Sequence, residues 1–273
     1  MRRPARALAL ACAGLLLAAA CSERTEGMAL EVGLMHHPGD GHEHVHYPAG
    51  AERGIVTDQD YGVVLRRALL VVSRVELQPC EEDTARAALR GLRELLWPVS
   101  VAHAHGENTP TVLAVPNVLD LIDEDRNTIA LARMEPPPGE YCGVILTAGA
   151  ADDDAVGLPG DGSLDGRTLL AEGVFVAPGE GTEQPFSYSS ELEDEVELPF
   201  VDTGGEPTRL RLSADAPMAE LRLEVGYYGM LDGIDLAEPD ALVDSFRVIR
   251  NLLSNARAVV TELRPEDAPA GAP

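Results

Sequence analysis

All 7 histidines of this chain lie between residues 36 and 105, in two short groups. The first is Met35-His36-His37-Pro38-Gly39-Asp40-Gly41-His42-Glu43-His44-Val45-His46, and the second is His103-Ala104-His105-Gly106. Neutral imidazole is a common side-chain ligand for copper and zinc, so the pattern points to transition-metal binding. On an extended strand His42, His44 and His46 would share one face at intervals of about 6.6 Å, with roughly 13 Å between the outer two. Metal–nitrogen bonds of about 2.0–2.1 Å let neighbouring rings meet on one ion, but not all three. A specific site would take two ligands from the first group and recruit the rest from His103 and His105, with Met35 as a soft ligand for monovalent copper. The bland alternative is a Gly- and Pro-flanked surface loop whose histidines are incidental.

A second motif is weaker. Asp161, Ser163, Asp165, Gly166 and Glu172 match positions 1, 3, 5, 6 and 12 of a calcium loop. Its flanks are wrong: Pro159-Gly160 stands where a helix should enter, and residues 168–176 read as a strand. A turn between strands fits these residues better than calcium does. Asp152-Asp153-Asp154 and the acidic stretch from Glu191 to Glu197 read as solvated surface. The sequence contains no G-x-S-x-G, no phosphate-binding glycine loop and no nucleotide fingerprint, and a non-catalytic role is expected.

The amino terminus sets the compartment. Arg2, Arg3 and Arg6 precede an apolar stretch over residues 7–20 that ends in small residues at Cys21. This layout is that of a secretory signal, too short to span a bilayer, where about 20 apolar residues are needed. It resembles bacterial lipoprotein signals, although Ala18 stands where Leu is usual. The resemblance implies cleavage before Cys21, a diacylglycerol on its sulfur and a third acyl chain on its amino group. Ser22 after the acylated cysteine implies an outer-membrane destination. Residues 21–28 then form a short lipidated tether. Removing a leader with three arginines and no acid takes the formal charge from −25 to −28, which disfavours nucleic acid and anionic lipid as partners. The expected partners are the membrane, through the anchor, and an envelope protein or polymer.

The elements that must position the histidines read as strands. Val71, Ser73, Val75 and Leu77 alternate with Val72, Arg74, Glu76 and Gln78, a half-buried strand. Val196-Leu198-Phe200, Leu210-Leu212 and Leu221-Leu223-Val225 alternate similarly, and Ala214-Asp215-Ala216-Pro217 suggests that the last two form a hairpin. Two helices interrupt the pattern. One covers residues 84–96, with Ala85, Ala88, Leu89, Leu92 and Leu96 at helical spacing; the other covers residues 239–263, along a Leu242, Phe246, Ile249, Leu253, Ala256, Val260 stripe. Cys80 and Cys142 each end an apparent strand and pair as a disulfide in an oxidising compartment. The expected fold is mainly β: an antiparallel sandwich of immunoglobulin or transthyretin type over residues 29–263, followed by a disordered tail at 264–273. Two lobes meeting near residues 150–167 are the alternative division.

Three segments carry a family resemblance: Ala68-Leu69-Leu70-Val71-Val72-Ser73-Arg74-Val75-Glu76-Leu77, Val118-Leu119-Asp120-Leu121-Ile122, and Met134-Glu135-Pro136-Pro137-Pro138-Gly139-Glu140-Tyr141-Cys142-Gly143-Val144-Ile145-Leu146. In order and spacing they are similar to exported β-sandwich lipoproteins, among them the methanobactin-associated periplasmic copper-protein group and related sandwich domains of unknown function. The similarity covers about residues 60–155 and implies a sandwich fold, with copper as the family's metal. The motifs are structural, so no ligand transfers position by position.

Overall fold

A computed structural model describes residues 28–39, 41–42, 45–80, 108–238 and 240–263. The leader, Cys21 and its tether, the expected helix at 84–96, His103, His105 and the tail at 264–273 lie outside the described residues, as do Asp40, Glu43, His44 and Pro239. In chain order the strands are β1 Ala29–His37, β2 Arg53–Val56, β3 Gly62–Pro79, β4 Val112–Leu113, β5 Asn117–Asp120, β6 Ile129–Met134 and β7 Gly139–Ala148. They continue as β8 Leu169–Val176, β9 Gln184–Ser190, β10 Asp194–Val201, β11 Leu210–Leu212 and β12 Met218–Gly226. Helix α1, Ala241–Ser254, and β13, Ala256–Leu263, complete the series.

The fold is mainly β, as expected, but it is not an all-antiparallel sandwich. One curled sheet runs in the order β6-β1-β12-β13-β10-β7-β3-β8-β9, with β2, β4 and β5 also on β3 and β11 on β7. The pairs β1/β12 and β10/β13 are parallel, and the rest are antiparallel. β10 turns the corner: Asp194–Pro199 pair with β7, while Phe200 and Val201 pair with β13. The two limbs thus face one core, in which Leu30, Val32 and Leu34 of β1 and Leu221, Leu223 and Val225 of β12 share a cluster with Leu70, Val144 and Leu146. Residues from both ends of the chain belong to it, so the hydrophobic core is continuous.

β3 departs from simple alternation. Val63 and Leu65 enter the main core, then Ala68, Leu70 and Val72, then Val75 and Leu77, so the inward parity changes twice. Register shifts against β8 at Leu65/Arg67 and against β7 at Val72/Arg74 mark the two changes, because an extra residue reverses which face the following side chains take. Val71 consequently faces away from Val75 and Leu77. It packs with Leu69, Val118, Ala151, Ala155, Leu164 and Leu170 in a second cluster.

The carboxy-terminal helix is shorter than its apolar stripe suggests. Asp240 caps α1 by accepting from Val243 N at 3.3 Å, and Asp244 returns the contact by accepting from Asp240 N at 2.8 Å. Asn255 ends the helix. Val259, Val260 and Thr261 follow, a β-branched run that favours extended backbone, and they form β13 against all of Met218–Val225. The expected helix over 239–263 is thus helix and then strand. The expected Leu210–Val225 hairpin is also corrected. Its turn exists, with Ser213 N and Ala216 N bonding reciprocally, but β11 pairs with β7 while β12 lies between β1 and β13.

Cys80 and Cys142 form the expected disulfide, closing a separation of 62 residues. Among the described residues no helix is long and apolar enough to cross a membrane.

Candidate functional site

The structure divides the first histidine group into two environments. β1 lies between β6 and β12, and both histidines at its end are buried, His36 at 2 % exposure and His37 at 6 %. Gly39 and Gly41 follow with φ of 121° and 83° and break the strand, a backbone that glycine adopts without steric cost. Beyond them Val45 N donates to His42 O at 2.9 Å, so His42 and His46 are not spaced along the face of one strand.

His36 is built into the core. Its Nε2 lies 3.2 Å from Asp123 O and 3.5 Å from Asp125 Oδ1. Asp125, whose side chain is fully buried, also accepts from Tyr47 N at 2.8 Å and from the Tyr227 hydroxyl at 3.2 Å, and it faces Arg53 at 3.6 Å. Arg53 is itself fully buried. It donates to the carbonyls of Leu121 at 3.2 Å, Ala51 at 2.8 Å and Asp123, and lies over the Tyr47 ring at 4.9 Å. Burial pushes the Asp125 carboxyl up, but the bonds to His36 and Tyr47 and the charge of Arg53 outweigh it and hold the carboxyl below its ordinary value. Burial, foremost, and the neighbouring Asp125 carboxylate push the Tyr227 hydroxyl far up, so it remains a donor. This is a buried, charge-compensated clasp. It fixes the end of β1 to the residue 120–126 turn, and His36 belongs to it.

Met35 and His37 occupy the other face of β1. They line a cleft of about 300 Å³ with Gly39, Arg126, Arg222, Glu224 and Arg257. His37 Nδ1 accepts from Gly39 N at 3.0 Å. In the neutral ring the proton then sits on Nε2, so this geometry presents a donor instead of a lone pair for a metal. Glu224 is buried and accepts from Arg222 Nε at 2.7 Å and Arg257 Nε at 2.5 Å. Burial works against its charge, but the two guanidiniums prevail and lower its pKa.

His42 and His46 remain at the surface. The His42 ring stacks on Tyr228, with centroids 3.8 Å apart and planes 19° apart. Stacking covers the ring faces and leaves the edge, where both nitrogens lie. His46 Nε2 is 3.7 Å from Glu124 Oε1, and both side chains are about half exposed. Among the described residues no three His, Cys, Asp or Glu side chains converge as a metal cage.

The calcium-like loop is occupied by a cation of the chain's own. Arg67 donates to Asp161 at 2.9 Å and to the Ser163 hydroxyl at 2.5 Å, and lies 4.0 Å from Glu172. Ser163, through both its side chain and its backbone N–H, and then Arg67 take the Asp161 carboxyl down to about 2. Asp165 instead joins Ala151 in an isolated bridge. Asp161 and Ser163 thus form a turn closed on an arginine, with Glu172 of β8 beside it.

Sequence spacing could not have found Arg53, Asp125, Tyr227, Arg126 or Arg257, which come from separate segments. Arg222 and Glu224 alternate with Leu221, Leu223 and Val225 in the sequence, but nothing there marks their convergence on Arg257.

No family model and no curated protein matches the chain. Among solved structures, MbnP from Methylosinus trichosporium aligns with 72 % of this chain and 75 % of its own at 13 % identity, with a TM-score of 0.27. That similarity is too low to assign a shared fold or a site. The chain is similar to MbnP only at this distant level.

Proposed function

We propose that the protein is an exported lipoprotein, anchored through Cys21 at the outer membrane, that binds copper or zinc without turnover as a chaperone, buffer or sensor. The ligands are two imidazoles from His42, His44 and His46, completed by His103 and His105. One observation supports this reading above the others: burial separates the histidines. His36 and His37 are used by the fold, while His42 stacks on Tyr228 and His46, half exposed, lies beside Glu124. Imidazole with carboxylate suits divalent copper and zinc, and a formal charge of −25 favours a cation over an anion at such a surface. Met35 is not in this set, because it opens on the arginine-lined cleft.

Titration of the purified protein with Cu(II) and Zn(II) against a chromophoric competitor tests the assignment. The wild type should bind one equivalent. His42→Ala/His46→Ala and His103→Ala/His105→Ala should each weaken binding by at least about tenfold, the order expected when a coordination sphere is disturbed. Equal affinity and stoichiometry in all three proteins would mean that the histidines are incidental. The protein would then be a scaffold engaging an envelope protein or polymer.

A further inference from the structure

We propose that Glu124 is a carboxylate ligand of the metal held by the histidine loop, and that it biases the site toward Zn(II) and Cu(II) over Cu(I). The proposal deepens the function given above and rests on it for the remaining ligands. His46 Nε2 and Glu124 Oε1 stand 3.7 Å apart. Two donors about 2.0–2.1 Å from one tetrahedral ion lie about 3.4 Å from each other, so a shift of roughly 0.3 Å lets both atoms share an ion.

Backbone pairing brings these two side chains together. Tyr47 follows His46 and Asp125 follows Glu124, and the two following residues are joined twice. Tyr47 N donates to Asp125 Oδ2 at 2.8 Å, and Asp125 N donates to Tyr47 O at 3.1 Å. The Asp125 carboxylate is itself fully buried, facing Arg53 and accepting from the Tyr227 hydroxyl. Around Glu124 the turn is closed by its own N–H, which donates to Asp123 Oδ1 at 2.8 Å, and by Asn127 N, which donates to Glu124 O at 3.3 Å. Arg126 N then donates to His36 O at 2.9 Å and ties the turn to β1. Glu124 thus projects from a turn fixed to the core, with its carboxylate about half exposed. An exposed ion pair alone does little for stability. A carboxylate and an imidazole already set side by side have less freedom to lose when an ion arrives.

The carboxylate also sets the class of metal. Its oxygen is a hard donor that, with imidazole, suits Zn(II) and Cu(II), whereas Cu(I) favours thiolate and thioether sulfur. Met35, the soft donor of the first histidine group, opens on the arginine-lined cleft instead. Half exposure of both His46 and Glu124 leaves the ion open to further ligands.

Competition titrations with Zn(II), and with Cu(I) kept reduced by ascorbate, test the assignment in wild type, Glu124→Gln and Asp123→Asn. Glu124→Gln should weaken Zn(II) by at least about tenfold, and it should change Cu(I) affinity by less than about threefold. The Zn(II) loss should persist when salt is raised from about 0.1 M to about 0.5 M, because screening weakens a field effect but not a ligand bond. Asp123→Asn removes an adjacent charge and keeps an oxygen for Glu124 N; it should alter neither metal by more than about threefold. Circular dichroism melting curves establish that each variant is folded. Unchanged Zn(II) affinity in Glu124→Gln, a loss equalled in Asp123→Asn, or a loss abolished by salt would overturn Glu124 as a ligand while leaving the histidine loop as the metal site. Equal weakening of Zn(II) and Cu(I) in Glu124→Gln would overturn the bias toward divalent ions. If wild type binds no Zn(II), or His42→Ala/His46→Ala binds it as tightly as wild type, the metal-binding function itself fails and the Glu124 assignment fails with it.

Discussion

Asp125→Asn should be among the most destabilising single substitutions in this protein. It removes the carboxylate that faces Arg53 in a site where both side chains are fully buried. It also changes the acceptor for Tyr47 N at 2.8 Å and for the Tyr227 hydroxyl at 3.2 Å. Arg53 keeps its carbonyl partners, including Leu121 O at 3.2 Å and Ala51 O at 2.8 Å. They satisfy its donors without neutralising its charge. Breaking a buried ion pair by removing one partner costs about 3–5 kcal/mol. For a chain of this size that is a fall of roughly 10 °C in melting temperature. Urea unfolding followed by circular dichroism should show the midpoint fall with little change in slope. Arg53→Met/Asp125→Asn should recover part of the loss, because the double variant leaves no uncompensated charge. A loss below about 1 kcal/mol in Asp125→Asn, or a double variant as costly as the sum of the singles, would refute the buried-pair reasoning.

Other perturbations probe different parts of the fold. Reducing Cys80–Cys142 releases a 62-residue closure; it should cost up to about 4 kcal/mol, read as a lower urea midpoint in dithiothreitol. Gly143→Ala would place a Cβ 2.6 Å from Leu198 O, so β7 and β10 must part. A loss of about 1–3 kcal/mol is expected, and none would mean that the strands adjust freely. Asp125 and Glu224 both have lowered pKa values in the folded state, so their stabilising contribution is fully present above the ordinary carboxylate range of about 4. It is lost as pH falls through the lower folded values. Melting temperature should therefore drop steeply below about pH 4, and Glu224→Gln should flatten part of that limb.

Local patterns in the sequence reached some of these features and missed others for identifiable reasons. The β-rich character, the β3 strand and the Cys80–Cys142 pairing follow from alternation and from strand ends. The inward parity of β3 does not, since two register shifts reverse it within one strand, and a bulge leaves no composition signal of its own. The β1/β12 and β10/β13 pairs are parallel, and parallel partners are brought together by the global path of the chain. Ala256 and Val260 happen to continue the helical stripe of Ile249 and Leu253, but Asn255 ends the helix and a β-branched run takes over. Among the histidines, residue type suggested one shared chemistry. Burial gave them different roles: His36 sits on the face of β1 toward Asp125, His37 on the face toward the arginines, and His42 and His46 beyond two positive-φ glycines.

Electron paramagnetic resonance of the protein loaded with one equivalent of Cu(II) tests the metal assignment most directly, because coupling to imidazole nitrogen reports the ligand atoms themselves. Wild type should show a single tetragonal species with nitrogen coupling. That species should disappear in His42→Ala/His46→Ala and persist in His37→Gln. An unchanged spectrum in His42→Ala/His46→Ala, or its loss in His37→Gln alone, would place the metal elsewhere and contradict the division between a metal-binding loop and an arginine-lined cleft.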